Sequence, residues 1–178
     1  MKKAQSLIEF IVVIPLLILV VFGIIEFSIF LRASQTVQQI AMEAAVASSN
    51  VYVDENSNPN LAVNEALNVV TKRVSALGLS NITFSEVNLP SSWGEKPFAL
   101  YKFESDQTRN VDNVDLPLLT FTVDYRDPYT QGVNTQLIYQ YRTLLVGIEF
   151  TLLNGRKVKI IPRDIEISST KTQQYVNY

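Results

Sequence analysis

Hydrophobic and polar positions divide the chain into three zones. From Phe10 to Ile25 there are 16 residues without a charge, and counting on through Glu26 to Leu31 gives 22. At about 1.5 Å per residue these make a helix of about 33 Å, enough to cross a hydrocarbon core of about 30 Å. Arg32 to Ala47 contains no Gly or Pro and is rich in Ala, Gln, Met and Glu, which favour helix. Its apolar positions Val37, Ile40, Ala41, Ala44, Ala45 and Val46 favour one face. The pattern therefore predicts one long helix, its first half in lipid and its second half lying on a soluble domain. Ser48 to Asn60 reads as a loop ending in NSNPN. Leu61 to Leu77 reads as a second amphipathic helix, with Leu61, Leu67, Val70, Val74 and Leu77 spaced mostly by three or four. Asn60 is placed to cap its start and Gly78 to end it.

After Gly78 the pattern turns to strands. The candidates are Ile82–Leu89, Phe98–Phe103, Leu118–Tyr125, Leu137–Leu153 with a break near Gly147, and Lys157–Ile161 with Ile165–Ile167. Asn154-Gly155 signals a hairpin, because both residues tolerate positive φ. Pro90, Pro97, Pro117, Pro128 and Pro162 fall between or at the ends of these runs. The tail KTQQYVNY is read either as a last edge strand or as a frayed end. Two helices followed by an antiparallel sheet make an α+β fold. The expected layout is a leader at 1–4, a long helix at 5–48 with its membrane span at about 10–31, and an extracytoplasmic domain at 49–178.

Composition narrows the chemistry. The chain has 178 residues, a net charge of −2 and no long basic run, which argues against nucleic acid as a partner. It has no Cys, so disulfides, thiolate catalysis and Cys-based zinc sites are excluded. It has no His either, which removes the commonest general base and metal ligand. An enzyme is not expected.

Lys2 and Lys3 precede the apolar run, and the positive-inside rule puts them in the cytoplasm. A cleaved secretory signal cut after Ala45-Val46-Ala47 is the rival reading. That site lies about 20 residues beyond the apolar core, with Glu26, Arg32 and Glu43 between, whereas such signals are cut close to a short apolar stretch. Glu9 and Glu26 are 17 residues apart, about 26 Å along a helix. They bracket the bilayer core, where an edge charge costs far less than a central one. Pro15 removes the bond to Ile11 and is expected to kink the span. Gly23 offers a notch for close helix contact.

The motif AQSLIEF followed by a long apolar helix resembles the class III signal of type IV pilin-like proteins. More narrowly, SLIEF, IVVIPLLILVVFGIIEFS and LRASQTVQQIAMEAA are similar to the TadE-like minor pilins (pseudopilins) of tight-adherence, Flp-type pilus systems. They share a small residue, a glutamate–aromatic pair, a proline within the span and a G-x-x-E-F stretch. The resemblance covers residues 4–48. It implies cleavage by a prepilin peptidase between Ala4 and Gln5, making Glu9 the fifth mature residue and Phe10 the sixth. Ala4 stands where these signals usually carry Gly, and an N-terminal Gln5 can cyclise. It also implies that Glu9 meets the amine of a neighbouring subunit and so sets the register between helices. The implied partners are the peptidase, major and minor pilin subunits and the assembly platform of the bacterial cytoplasmic membrane. The implied protein is single-pass and pilus-associated, with its C-terminus outside, and takes part in adhesion through assembly, priming or the tip of the fibre. The alternative is an unprocessed, membrane-anchored binding domain.

Other motifs are weaker in kind. DENSNPNLAVNE places Asp54, Asn56, Asn58 and Glu65 at the first, third, fifth and twelfth positions of a calcium loop, with Leu61 at the eighth. Pro59 occupies the sixth, where the turn needs Gly, so a polar loop is the preferred reading and no cofactor is expected. Asp124 and Asp127 flank a strand end before Pro128 and read as turn residues rather than as a paired-carboxylate site. Asn81-Ile82-Thr83 is a glycosylation sequon. Tyr139 and Tyr141 share one strand face and are candidates for a subunit contact or for the core.

Overall fold

The computed structural model describes residues 2–51, 59–87, 100–111, 113–125, 132–143, 149–151, 155, 157–159 and 164–174. Two helices carry the α part: α1, Lys2–Val51, and α2, Pro59–Arg73, extended by a 3-10 turn at Val74–Leu77. Among the described residues nine strands follow: β1 Phe84–Glu86, β2 Leu100–Ser105, β3 Thr108–Val111, β4 Val114–Pro117, β5 Leu119–Asp124, β6 Gly132–Arg142, β7 Glu149–Thr151, β8 Lys157–Lys159 and β9 Asp164–Gln174. The fold is α+β. The chain forms two compact units, residues 1–32 with 142–165, and residues 33–141 with 166–178.

In the second unit the sheet has five strands in the order β1-β2-β5-β6-β9. β1 pairs antiparallel with β2, β2 with β5, and β5 with β6. Side-chain bonds of Gln136 to Ser168 and of Thr172 to Asn134 run in opposite senses along β6 and β9, so the last pair is antiparallel too. Register puts Phe103, Phe121 and Leu137 in one row across three strands. All three are buried, as are their same-face neighbours Leu119, Val123, Val133 and Thr135. Phe103 and Phe121 stack with ring centroids 6.4 Å apart. The other face of β5 carries Thr120, Thr122 and Asp124, the alternation expected of a half-solvated antiparallel sheet.

The C-terminal half of α1 supplies the facing layer. Val37, Ile40, Ala41, Ala44, Ala45 and Ser48 are buried, at helical spacing, together with Ala62, Val63, Ala66, Val70 and Val74 of α2 and its turn. Small side chains dominate this stripe, which lets helix backbone approach sheet. Two polar pins show the closeness: Thr135 Oγ1 donates to the Ala41 carbonyl at 2.8 Å, and the hydroxyls of Ser48 and Tyr125 lie 2.6 Å apart. On the surface, Arg73 Nε donates to Glu43 Oε2 at 2.8 Å.

The structure corrects several expectations. α1 continues through Ser48 and Ser49, both buried, to Val51, because their hydroxyls find partners inside rather than in a loop. α2 starts at Pro59, a residue preset for a first helical turn. Asn60 therefore lies within the helix, and its Oδ1 accepts from Tyr101 instead of capping. Gly78 ends this element in the left-handed conformation at φ 77°, as anticipated. The β3–β4 hairpin was not expected; Asn113 at its turn has φ 67°. β6 begins at Gly132, five residues earlier than its apolar run suggested. Tyr139 and Tyr141 are 7% and 6% exposed, so they belong to this chain's own core and not to a subunit contact. Burial pushes the Tyr139 phenol up, opposed by the nearby Arg109 cation. In the first unit β7 and β8 form an antiparallel hairpin, with Gly155 at φ 77° in its connection, as the Asn-Gly signal implied. β9 reaches Gln174, so the tail begins as an edge strand, and 175–178 lie outside the described residues. The expected break near Gly147 also lies outside them.

Candidate functional site

The N-terminal part of α1 is the outstanding feature. It forms a helix because 16 consecutive uncharged residues favour internal backbone bonding wherever water is scarce. The helix runs on through Pro15. Ser28 Oγ donates to the Ile24 carbonyl at 2.8 Å, which satisfies its hydroxyl within the apolar stretch. Among the described side chains, sixteen large apolar ones between Phe10 and Leu31 are exposed, with Phe10 at 65% and Ile24 at 62%. If each leaves roughly 100 Å² uncovered, the total is on the order of 1,600 Å², worth about 40 kcal/mol at about 25 cal/mol per Å². The largest apolar patch on a typical monomer is only about 300–600 Å². Such a surface needs lipid or other helices around it. By length and composition this helix is able to cross a membrane.

The residues singled out from sequence fall along this helix in different settings. Ala4, Gln5 and Glu9 have helical backbone, and their side chains lie outside the described residues. Phe10 is exposed, as above. A Cβ placed on Gly23 would meet nothing within 4 Å, so the notch is not filled from within the chain. Glu26 is 9% exposed, although its neighbours Ile25 and Phe27 are 46% and 61% exposed. The expectation that Glu26 reaches out to a headgroup region is thus corrected: its side chain is buried. A carboxylate is held in such a place only with polar or charged company.

The remaining candidates are not brought together. Asp54, Asn56 and Asn58 lie outside the described residues, and Glu65 is exposed on α2. Among the described residues no three His, Cys, Asp or Glu side chains are grouped so as to hold a metal. Asp124 ends β5 opposite Asn134, and Asp127 lies outside the described residues. Within the sequon, Thr83 is already engaged: its Oγ1 donates to Asp106 Oδ2 at 2.7 Å and its backbone N–H to Asp106 Oδ1 at 3.1 Å. These bonds hold the Asp106 carboxyl below its ordinary value. Sequence reasoning missed this clamp, since nothing local pairs positions 83 and 106.

No curated protein and no solved structure matches the chain. Residues 4–46, which carry the apolar helix with Glu9, Pro15, Gly23 and Glu26, match the sequence model of the family described as TadE-like protein, so it is this family that the N-terminal quarter of the chain is similar to.

Proposed function

We propose that the chain is a structural, non-enzymatic minor pilin of a tight-adherence type pilus. The observation that carries this reading is the coincidence of the family match at 4–46 with a helix whose apolar side chains face outward. In this reading a prepilin peptidase cuts between Ala4 and Gln5 on the cytoplasmic side. The anchored subunit then joins major and minor pilins through its helix and takes part in assembly, priming or the tip of the fibre. Glu9 meets a neighbour's N-terminal amine. In a low-dielectric bundle an unpaired carboxylate is costly and an ammonium offsets it, so one register is favoured over its alternatives. The 33–141 and 166–178 unit lies outside the cytoplasmic membrane and contacts other subunits.

The test is the intact mass and N-terminal sequence of the protein taken from its native membrane, with and without the peptidase. A chain beginning at Gln5, and Glu9→Gln failing to enter the assembly, are the expected results. A chain that keeps Met1 with the peptidase present is a simple anchor, and the reading falls.

A further inference from the structure

The main sheet ends in two unlike edges. β1, on one side, is three residues long. β9, on the other, runs eleven residues from Asp164 to Gln174, as long as β6 beside it. An edge strand presents a row of N–H and C=O groups, and proteins blunt it by shortness, by Pro, by a bulge or by a charge turned inward. β1 is blunted by its length. β9 contains no Pro and no Gly. Its core-side cation, Lys171, is half-buried near the end of the strand, which leaves 165–170 unguarded. Among the described residues nothing pairs with the outer side of β9.

The strand alternates cleanly. Ile167 and Ser169 are buried on the core side, with Ile165, Lys171 and Gln173 half-buried at the same spacing. Glu166, Ser168, Thr170 and Thr172 are exposed on the other side. Bonds from Gln136 to Ser168 and from Thr172 to Asn134 hold β9 against β6. Roughly half of its residues therefore turn both backbone groups away from β6, toward the open edge.

The charges of β9 say what fits there. Asp164 and Glu166 stand at its start, and Lys171 stands toward its end. A second β9 laid parallel and in register would set each charge beside its own equivalent, which is repulsive. Laid antiparallel about a two-fold axis near 168–170, the acidic start of each strand runs beside the basic end of the other. The exposed sides then meet as Ser and Thr pairs, which are favourable across strands. We propose that β9 pairs antiparallel with β9 of a second copy, joining two sheets into one. A single strand pair falls short of the roughly 1,200–2,000 Å² of a stable interface, so pairing needs the effective concentration that a shared membrane supplies. The proposal rests on anchorage in a membrane and not on pilus assembly, so it survives if the protein proves to be a plain anchor.

The chain has no Cys, so Glu166→Cys, Ser168→Cys, Thr170→Cys and Thr172→Cys each give a unique thiol at an exposed position of β9. Ser85→Cys on β1, also exposed, is the reference. The full chain is placed in phosphatidylcholine vesicles without other pilins and mildly oxidised. A disulfide needs Cα atoms about 4.4–6.8 Å apart, and one same-face step away from a two-fold axis separates equivalent residues by a further 13–14 Å or so. Disulfide dimers are therefore expected fastest at 168, at 170 or in a mixture of those two variants, and roughly tenfold slower at 166 and 172. Ser168→Lys with Thr170→Lys should abolish density-dependent dimers of the chain. Amide exchange of the unmutated chain keeps the test valid if that variant misfolds: 165–173 should gain roughly tenfold protection as protein density in the vesicles rises. Equal disulfide rates at all four positions, whether shared by Ser85→Cys or not, overturn antiparallel pairing. Protection of 165–173 that is already full at the lowest density also overturns the proposal, since the chain itself would then cover the edge.

Discussion

The Ser48–Tyr125 contact offers a direct measure of how firmly α1 is docked on the sheet. Both residues are buried, and their hydroxyls are 2.6 Å apart across 77 positions of sequence. Ser48→Ala leaves the phenol without this partner, and Tyr125→Phe leaves the serine without it. A buried polar group stripped of its partner costs about 1–3 kcal/mol, whereas a hydrogen bond contributes only about 0.5–1.5 kcal/mol net. Each single change is therefore expected to destabilise by about 1–2 kcal/mol. Tyr125→Phe falls toward the lower end, because the helical Ser48 it leaves behind can turn its hydroxyl back to a carbonyl four residues earlier. The double variant removes both groups at once and should cost about 1 kcal/mol less than the sum of the singles. The unit that holds the pair, residues 33–141 with 166–178, falls between the sizes for which each 1 kcal/mol moves Tm by about 4–8 °C and by about 2–4 °C, so about 4 °C per kcal/mol is expected. The cycle is read by thermal melts and by pulse proteolysis in urea on the full chain in detergent micelles. Independent sites add to within about 0.3–0.5 kcal/mol, so additivity at that level would refute the docking of α1 through this pair.

Three further outcomes are expected. Phe121→Ala, which empties a fully buried ring position in the middle strand of the sheet, should cost about 3–5 kcal/mol in the same melts. Asp106→Asn should narrow its gap to the unmutated protein in acid. The folded carboxyl is held below 3.8, so its contribution is present above that value and is lost as pH falls through the lowered one, which a Tm–pH series from about pH 7 to about pH 2.5 will follow. Gly23→Ala should leave helicity and melting unchanged, because nothing within the chain approaches a Cβ there; a defect confined to assembly would locate a close contact with another subunit's helix.

The parts of the fold that were legible are those governed by local period. The uncharged run, the helical spacing from Val37 to Val46 and the alternation of β5 each carry their own signal. The hairpin signal at Asn154-Gly155 works for the same reason, since positive φ is a property of the turn itself. What escaped depends on distant partners. Ser48 and Ser49 look like loop residues until Tyr125 and the core absorb them. The start of β6, GVNTQ, is too polar to read as strand, yet Thr135 is wholly buried, its hydroxyl satisfied by donating a hydrogen bond to the Ala41 carbonyl. The β3–β4 ribbon, TRNV and VDLP, has almost no apolar alternation, and its place is fixed by contacts such as the bond from Arg109 to the Gln140 carbonyl. Glu26 is the instructive case in the candidate site. Sequence saw a tolerated edge charge, and only tertiary packing turns it inward.

The order β1-β2-β5-β6-β9 has a consequence for how such a domain varies. Read without its two ribbons, the sheet is a plain meander in which each strand lies beside its predecessor. β3–β4 is spliced into the link from β2 to β5, and β7–β8 into the link from β6 to β9. Neither interrupts a pairing of the main sheet. Such insertions act as cassettes: they are free to lengthen, shrink or change character while the scaffold keeps its wiring. Among proteins that share the N-terminal match, divergence in length and surface chemistry is then expected at these two links, while the five paired strands and the small-residue stripe of α1 stay constant.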